Sequence, residues 1–306
     1  MKKTVFGLLL LVCSVALFSY RNVDEPGAPA DEPVAPADSG FIRFLEESEE
    51  RGCLETAVVS YSNAEGVRVD LIAAVHLADP AYYSMLQTLF ASYDAVLYEM
   101  IAPHDVRPVP NKKDSFVLSN VQRNLCRALS LVFQLDSIDY LQKNFVHADL
   151  TPQEFGRIMK ERGETVWTMA MQTMTAQLSV FEKGIGEHLT GEALIDAFRS
   201  GNSSSRLKIL LAREFVKMDS LFEELDSFDP KKEKGGEGDD AERPGSMIVG
   251  ERNKAAIGIL EREIAAGKKR HALFYGAGHM PDLEARLHAL GFKQKWKKWL
   301  TAWEIR

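Results

Sequence analysis

The sequence predicts an α/β fold: a mostly parallel central sheet flanked by helices, with a helical insertion between its two halves. Three observations carry this. Short apolar runs at Val69–Val75, Ala95–Tyr98 and Ala272–Tyr275 are bounded by turn residues and read as buried strands. A helical pattern separates the first two, and strand–helix–strand favours a right-handed parallel crossover. Between the second and third runs lies a stretch, about 115–228, whose apolar residues recur at helical spacing. At 306 residues and 45% hydrophobic content, the chain can bury a sizeable core as one large domain or two small ones.

Met1-Lys2-Lys3 precedes an apolar stretch from Val5 to Phe18, the pattern of a secretory signal. That stretch is shorter than the roughly 20 residues of a spanning helix. Residues 1–21 are therefore read as a signal peptide or an N-terminal anchor, with Ser14-Val15-Ala16 and Ser19 as cleavage candidates. Val12 before Cys13 makes a poor lipidation signal. The expectation is an exported protein, periplasmic, extracellular or tethered to a membrane through its N-terminus. Residues 22–40 are Pro, Ala, Asp and Glu with almost no large apolar side chain, the composition of a disordered spacer. Cys53 and Cys126 remain beyond the signal; an oxidising compartment allows them to pair, and two inert buried thiols are the alternative.

The folded domain, 41–306, begins near Phe41. Cys53–Ser60 and Val67–Val75 flank Asn63-Ala64-Glu65-Gly66, a hairpin signal. After His76, Asp79-Pro80 caps and opens a helix that carries Tyr82, Leu86, Leu89 and Tyr93 on one face. The next strand ends at Glu99. In a simple crossover, His76 and Glu99 leave neighbouring parallel strands about 4.8 Å apart. Within the helical insertion, Thr151-Pro152-Gln153-Glu154 is a capping-box start. Arg206–Leu225 spaces Leu207, Leu210, Leu211, Phe215, Met218 and Phe222 helically, and Met159, Met169, Met171 and Met174 read as core fillers. Residues 230–246 are charged and glycine-rich, a flexible solvated loop. A helix follows from about Val249 to Ala266, then a strand from Ala272. Pro281 and Gly291 bracket a last helix, and Trp296, Leu300, Trp303 and Ile305 mark a closing strand. The net charge of −7 argues against nucleic acid as a partner. Lys293, Lys295, Lys297 and Lys298 among those tryptophans read as a solvated strand face.

His76, Glu99 and His279 each close an apolar run. Polar groups at strand exits sit at the rim of a sheet, where open α/β folds place ligands. Two imidazoles and a carboxylate suit a divalent ion such as Zn, Mn, Co or Fe with open positions for water and substrate. Histidines that fix loops by hydrogen bonds are the alternative. Arg252 reads as an anchor for a substrate carboxylate or oxyanion, or as a salt bridge at a helix start. Asn253 reads as a cap or a local hydrogen-bonding residue. His104 lies close behind the Glu99 strand. His147 and Asp149 allow a base-and-orienter pair, or Asp149 caps the turn before Thr151. Tyr98 and Tyr275 read as packing; His188, His271 and His288 as surface or strand-edge residues. No nucleophile elbow, His-Glu-x-x-His helix or phosphate loop is present.

Ala73-Ala74-Val75-His76-Leu77, Tyr98-Glu99-Met100, Glu251-Arg252-Asn253 and Gly276-Ala277-Gly278-His279-Met280-Pro281 follow one another in that order. In these segments the chain resembles the TraB/PrgY/GumN family, which includes the Tiki proteases and is marked by two Gly-x-x-His motifs with a glutamate between them. The resemblance covers about residues 54–305, and Ala73 departs from it where the family has glycine. It implies an α/β fold like that of the haem-binding ChaN proteins and the erythromycin esterases. It also implies a metal-dependent peptidase activity, as in the Tiki branch; with it, His76, Glu99 and His279 are read as the ligands of a divalent metal, and Glu99 and Arg252 as catalytic residues. The expected function is an exported, metal-dependent hydrolase of peptides. A peptide- or small-ligand-sequestering module in the same cleft, and a metal-free hydrolase using a histidine base, are the alternatives.

Overall fold

The computed structural model of the chain describes residues 40–109, 126, 129–161, 203–225 and 246–306. The N-terminal signal, the spacer up to residue 39, the loop expected at 230–246 up to residue 245, and much of the expected insertion lie outside them.

The N-terminal half begins as an antiparallel meander. Strands β1 (Ile42–Ser48) and β2 (Arg51–Ser62) pair first, and β2 then turns into β3 (Arg68–Ala74). The expected hairpin forms because Asn63 Oδ1 accepts the backbone N–H groups of Glu65 and Val67 while Gly66 takes a φ of 72°. A short β4 (Leu77–Ala78) leads to helix α1 (Pro80–Phe90), which buries Tyr82, Tyr83, Leu86 and Phe90. Pro80 opens it as expected, but the Asp79 side chain makes no capping bond. Tyr93, expected on the same face, lies past the helix end, where its hydroxyl donates to the fully buried Asp70 at 2.6 Å. Ser60 and Arg68 also donate to Asp70, so this charge is buried with its acceptor capacity used.

Strand β5 (Ala95–Tyr98), β6 (Val132–Phe133), α2 (Gln134–Ser137), β7 (Phe145–His147), α3 (Pro152–Glu161) and α4 (Ser203–Leu225) follow. The C-terminal part is α5 (Ser246–Ala265), β8 (Arg270–Gly276), a 3₁₀ turn at Ala277–His279, α6 (Met280–Ala289) and the long β9 (Lys293–Ile305). The mixed α/β architecture expected from the sequence is what forms. In the main sheet β2 pairs with β9 on one side and with β1 and β3 on the other. From β3 the order continues through β8 and β5 to β7, all four parallel. β4 and β6 form a separate small antiparallel pair.

Two expectations need correction. The strands that deliver His76 and Glu99 are not neighbours, because β8 inserts between β3 and β5. Its run Ala272–Tyr275 is fully buried, and the centre of a parallel sheet is where such a run loses most water-exposed apolar surface. The stretch 115–228 is also not helical throughout. Among its described residues, β6 and β7 interrupt the helices, and β7 supplies the fourth parallel strand. Three residues of Phe145–His147 are too few to show any periodicity.

All parallel strands point the same way, so the residues following β3, β5, β7 and β8 gather at one edge of the sheet. Phe90, Phe145 and Phe274 interlock on one face behind that edge. Cys53 and Cys126 are not joined in a disulfide. Among the described residues no helix is long and apolar enough to cross a membrane.

Candidate functional site

Four polar residues meet at the carboxyl edge of the parallel strands. Glu99 follows β5, Asp149 follows β7, His279 ends the 3₁₀ turn after β8, and Arg252 reaches in from α5. The local sequence explains each position. Strands β5 and β8 end in small or polar residues that cannot continue an apolar run, and Gly276 brings the β8 backbone against Glu99, whose Oε2 accepts its N–H at 2.9 Å. A Cβ at Gly276 would lie 3.4 Å from that same oxygen.

Arg252 is the hub. Its Nη2 donates to Glu99 Oε1 at 2.7 Å, and its Nε and Nη2 donate to both oxygens of Asp149. Its side chain is 13% exposed, that of Glu99 15%, and that of Asp149 not at all. A guanidinium clamped between two carboxylates in this setting is held strongly. The sequence alternative of a salt bridge therefore describes Arg252 well, although it joins three elements rather than closing a helix start. Burial acts to raise the Glu99 pKa. It is outweighed by His279, Arg252 and His76, so the carboxyl lies well below its ordinary range and Glu99 is an anion at neutral pH.

His279 is buried, and its Nδ1 lies 2.6 Å from Asn253 Oδ1. The Asn253 amide nitrogen donates to the His279 carbonyl and to Asp282 Oδ2, which fixes Oδ1 as the acceptor. The His279 Nδ1 therefore carries a proton. Its Nε2 lies 3.4 Å from Glu99 Oε1 and 3.3 Å from Arg252 Nη1. As neutral imidazole it accepts from Arg252; as imidazolium it donates to Glu99. The two bonds exclude each other, so one proton on Nε2 switches the partner.

His76, in the bend after β3, has the same kind of support. Its Nδ1 lies 3.3 Å from Gln134 Oε1, and the Gln134 amide donates to the Tyr140 hydroxyl at 2.8 Å. The Gln134 backbone N–H also donates to the His76 carbonyl. His76 is close enough to Glu99 to favour its anion, though no direct bond joins them.

Glu99, Arg252 and His279 touch; His76 lies nearby on its own support. Asp149, expected as a cap or as the partner of His147, accepts the Leu150 N–H in the turn before Thr151 and also anchors Arg252, with no bond to His147 among those described. His147 bonds His104 and the Met100 carbonyl. Tyr275 donates its hydroxyl to the Ala148 carbonyl, whereas the Tyr98 hydroxyl is buried without a partner. His271, expected at a strand edge, is fully buried in the central β8, and burial holds its pKa down. His288 packs edge-on against Tyr61. Gln134 gave no signal: a lone glutamine between short apolar runs has no pattern that marks it as a histidine support.

The donor set allows a test of the implied metal. Glu99 Oε1 and His279 Nε2 are spaced as two ligands of one ion, with bonds of about 2.0–2.2 Å, would be. Each histidine has its Nδ1 committed to a carboxamide oxygen, the arrangement that leaves Nε2 for coordination. Arg252 stands against the same two atoms, and among the described residues no three of His, Cys, Asp and Glu lie together as a ready ligand group. The residues fit such an ion in chemistry, with His76 as the ligand that has to move in. No protein family, curated protein or solved structure matches this chain.

Proposed function

We propose that the chain is an exported hydrolase acting on peptides at the carboxyl edge of its parallel strands. The single observation that supports it is the pair of oriented histidines beside an anionic, arginine-clamped Glu99. In this reading His76, Glu99 and His279 hold a divalent ion, Zn, Mn or Co. Such an ion supplies Lewis-acid polarisation of a scissile carbonyl and a nucleophile at neutral pH. Asn253 and Gln134 keep the two imidazoles in the tautomer that offers Nε2. Arg252 balances Glu99 and Asp149, and offers a donor toward an oxyanion when substrate draws it from Glu99.

One observation favours a second reading, a metal-free hydrolase. The exclusive choice at His279 Nε2 between Arg252 and Glu99 is what a general base needs: it takes a proton and the resulting imidazolium is stabilised by the carboxylate.

The test is elemental analysis and peptide-library cleavage on the purified chain beside His76→Ala and His279→Ala. Stoichiometric metal lost in both variants, with cleavage abolished by chelation, supports the first reading. Cleavage that survives chelation but not His279→Ala supports the second. Peptide binding with no cleavage by any preparation overturns both in favour of a sequestering module.

A further inference from the structure

A second pair of imidazoles lies beside the Glu99 cluster and takes no part in it. His147 ends β7 and is 8% exposed. Its Nε2 donates to the Met100 carbonyl at 2.5 Å. A neutral imidazole that donates through one nitrogen carries its lone pair on the other. In its neutral form His147 thus keeps its lone pair on Nδ1, which faces Nδ1 of His104 at 3.0 Å, the two rings meeting edge to face. His104 lies on the exposed loop that follows β5.

This arrangement has two features of a metal half-site. A histidine whose distal N–H is tied to a backbone carbonyl is oriented as protein ligands of metals are. Two nitrogens bound to one ion at about 2.0–2.1 Å lie roughly 3 Å apart, so an ion seated off the line between the two Nδ1 atoms keeps their present separation once both rings turn toward it and the His104 proton moves from Nδ1 to Nε2. The exposed loop gives access for the ion and for waters that complete its shell.

We propose that His104 and His147 form a two-histidine site for a borderline divalent cation, Zn²⁺, Ni²⁺ or Cu²⁺, distinct from the Glu99 cluster. Imidazole is the ligand these ions share. Bound there, the ion clips the loop after β5 to the end of β7, the strand whose continuation carries Asp149.

The test is calorimetric titration of Zn²⁺ into the untagged, chelator-stripped full chain. His104→Ala, His147→Gln and His279→Ala are measured alongside. His104 is exposed, so its variant keeps the fold, and a melting curve overlapping wild type checks this. The expected result is one equivalent weakened by roughly tenfold or more in both His104→Ala and His147→Gln, and retained in His279→Ala. Zn²⁺ binding unchanged in His104→Ala, or lost entirely in His279→Ala alone, overturns the site. Because the His279→Ala arm reads the other cluster, failure here leaves the hydrolase reading to its own test.

Discussion

At the scale of single residues the site is held by Arg252. Its removal strands Glu99 and Asp149 as buried carboxylates, and breaking a buried pair in this way costs about 3–5 kcal/mol. Arg252→Met should lower the urea midpoint by a corresponding amount, whereas a midpoint within experimental error of wild type would show that the clamp is dispensable. Gln134 is tested differently. Gln134→Glu keeps an acceptor for the His76 Nδ1 proton, and the Tyr140 hydroxyl can turn to donate; Gln134→Leu loses both bonds. Metal retention or turnover should fall roughly 10–100-fold in the leucine variant and stay near wild type in the glutamate variant. Equal loss in both would assign Gln134 to packing alone. Glu99, His76 and His279 were legible because a charged or imidazole side chain terminating an apolar run stands out. Asp149 and Gln134 were not, since their roles depend on partners 103 and 58 residues away.

At the scale of elements, close approaches and caps decide. Gly52 lies where β1 and β2 pair, and a Cβ there would meet the Leu45 carbonyl oxygen at 2.7 Å and Glu46 Cα at 3.2 Å. These are backbone atoms, so β1 itself must shift. Gly52→Ala should cost roughly 1–3 kcal/mol in chemical denaturation, and a neutral result would mean that β1 contributes little. The capping box of α3 forms as the sequence indicated: the Thr151 N–H and hydroxyl donate to Glu154, and the Glu154 N–H donates to the Thr151 hydroxyl. Thr151→Ala should cost about 1 kcal/mol, read from a thermal melt. Such local chemistry is visible in four residues. The order of strands is not: whether β8 lies beside β5 or at an edge depends on which arrangement buries Ala272–Tyr275 best, a property of the assembled sheet. β7 escaped notice for the opposite reason, being too short to carry a period.

At the scale of the whole molecule, the ionisable groups set a window of stability. Asp94 accepts N–H bonds from Lys269 and Arg270 and the Arg270 guanidinium, and the Lys269 bond does most to bring its pKa from 3.8 to about 2. Glu154 is lowered chiefly by the Thr151 N–H, and Glu99 lies well below its ordinary range. Carboxyl groups with depressed native pKa values stabilise the fold above their ordinary pKa and lose that contribution as pH falls through the native one. His271 adds an earlier onset. Burial lowers its pKa from 6.5, so the unfolded chain binds the proton first and stability starts to decline as pH falls below about 6.5. On the alkaline side burial raises Tyr61, Tyr93 and Tyr275, the first two further opposed by Glu284 and Asp70. The unfolded chain then loses those protons first, and stability falls above about pH 10. Urea midpoints across pH 2–11 should therefore trace a plateau around pH 7–9, a shallow decline below 6.5 and a steeper one between about 4.5 and 2. Asp94→Asn should flatten the steep limb and His271→Phe the shallow one. An acid limb that keeps its wild-type slope in Asp94→Asn would place the sensitivity in other carboxylates, and a plateau extending unbroken to pH 5 would remove His271 from the account.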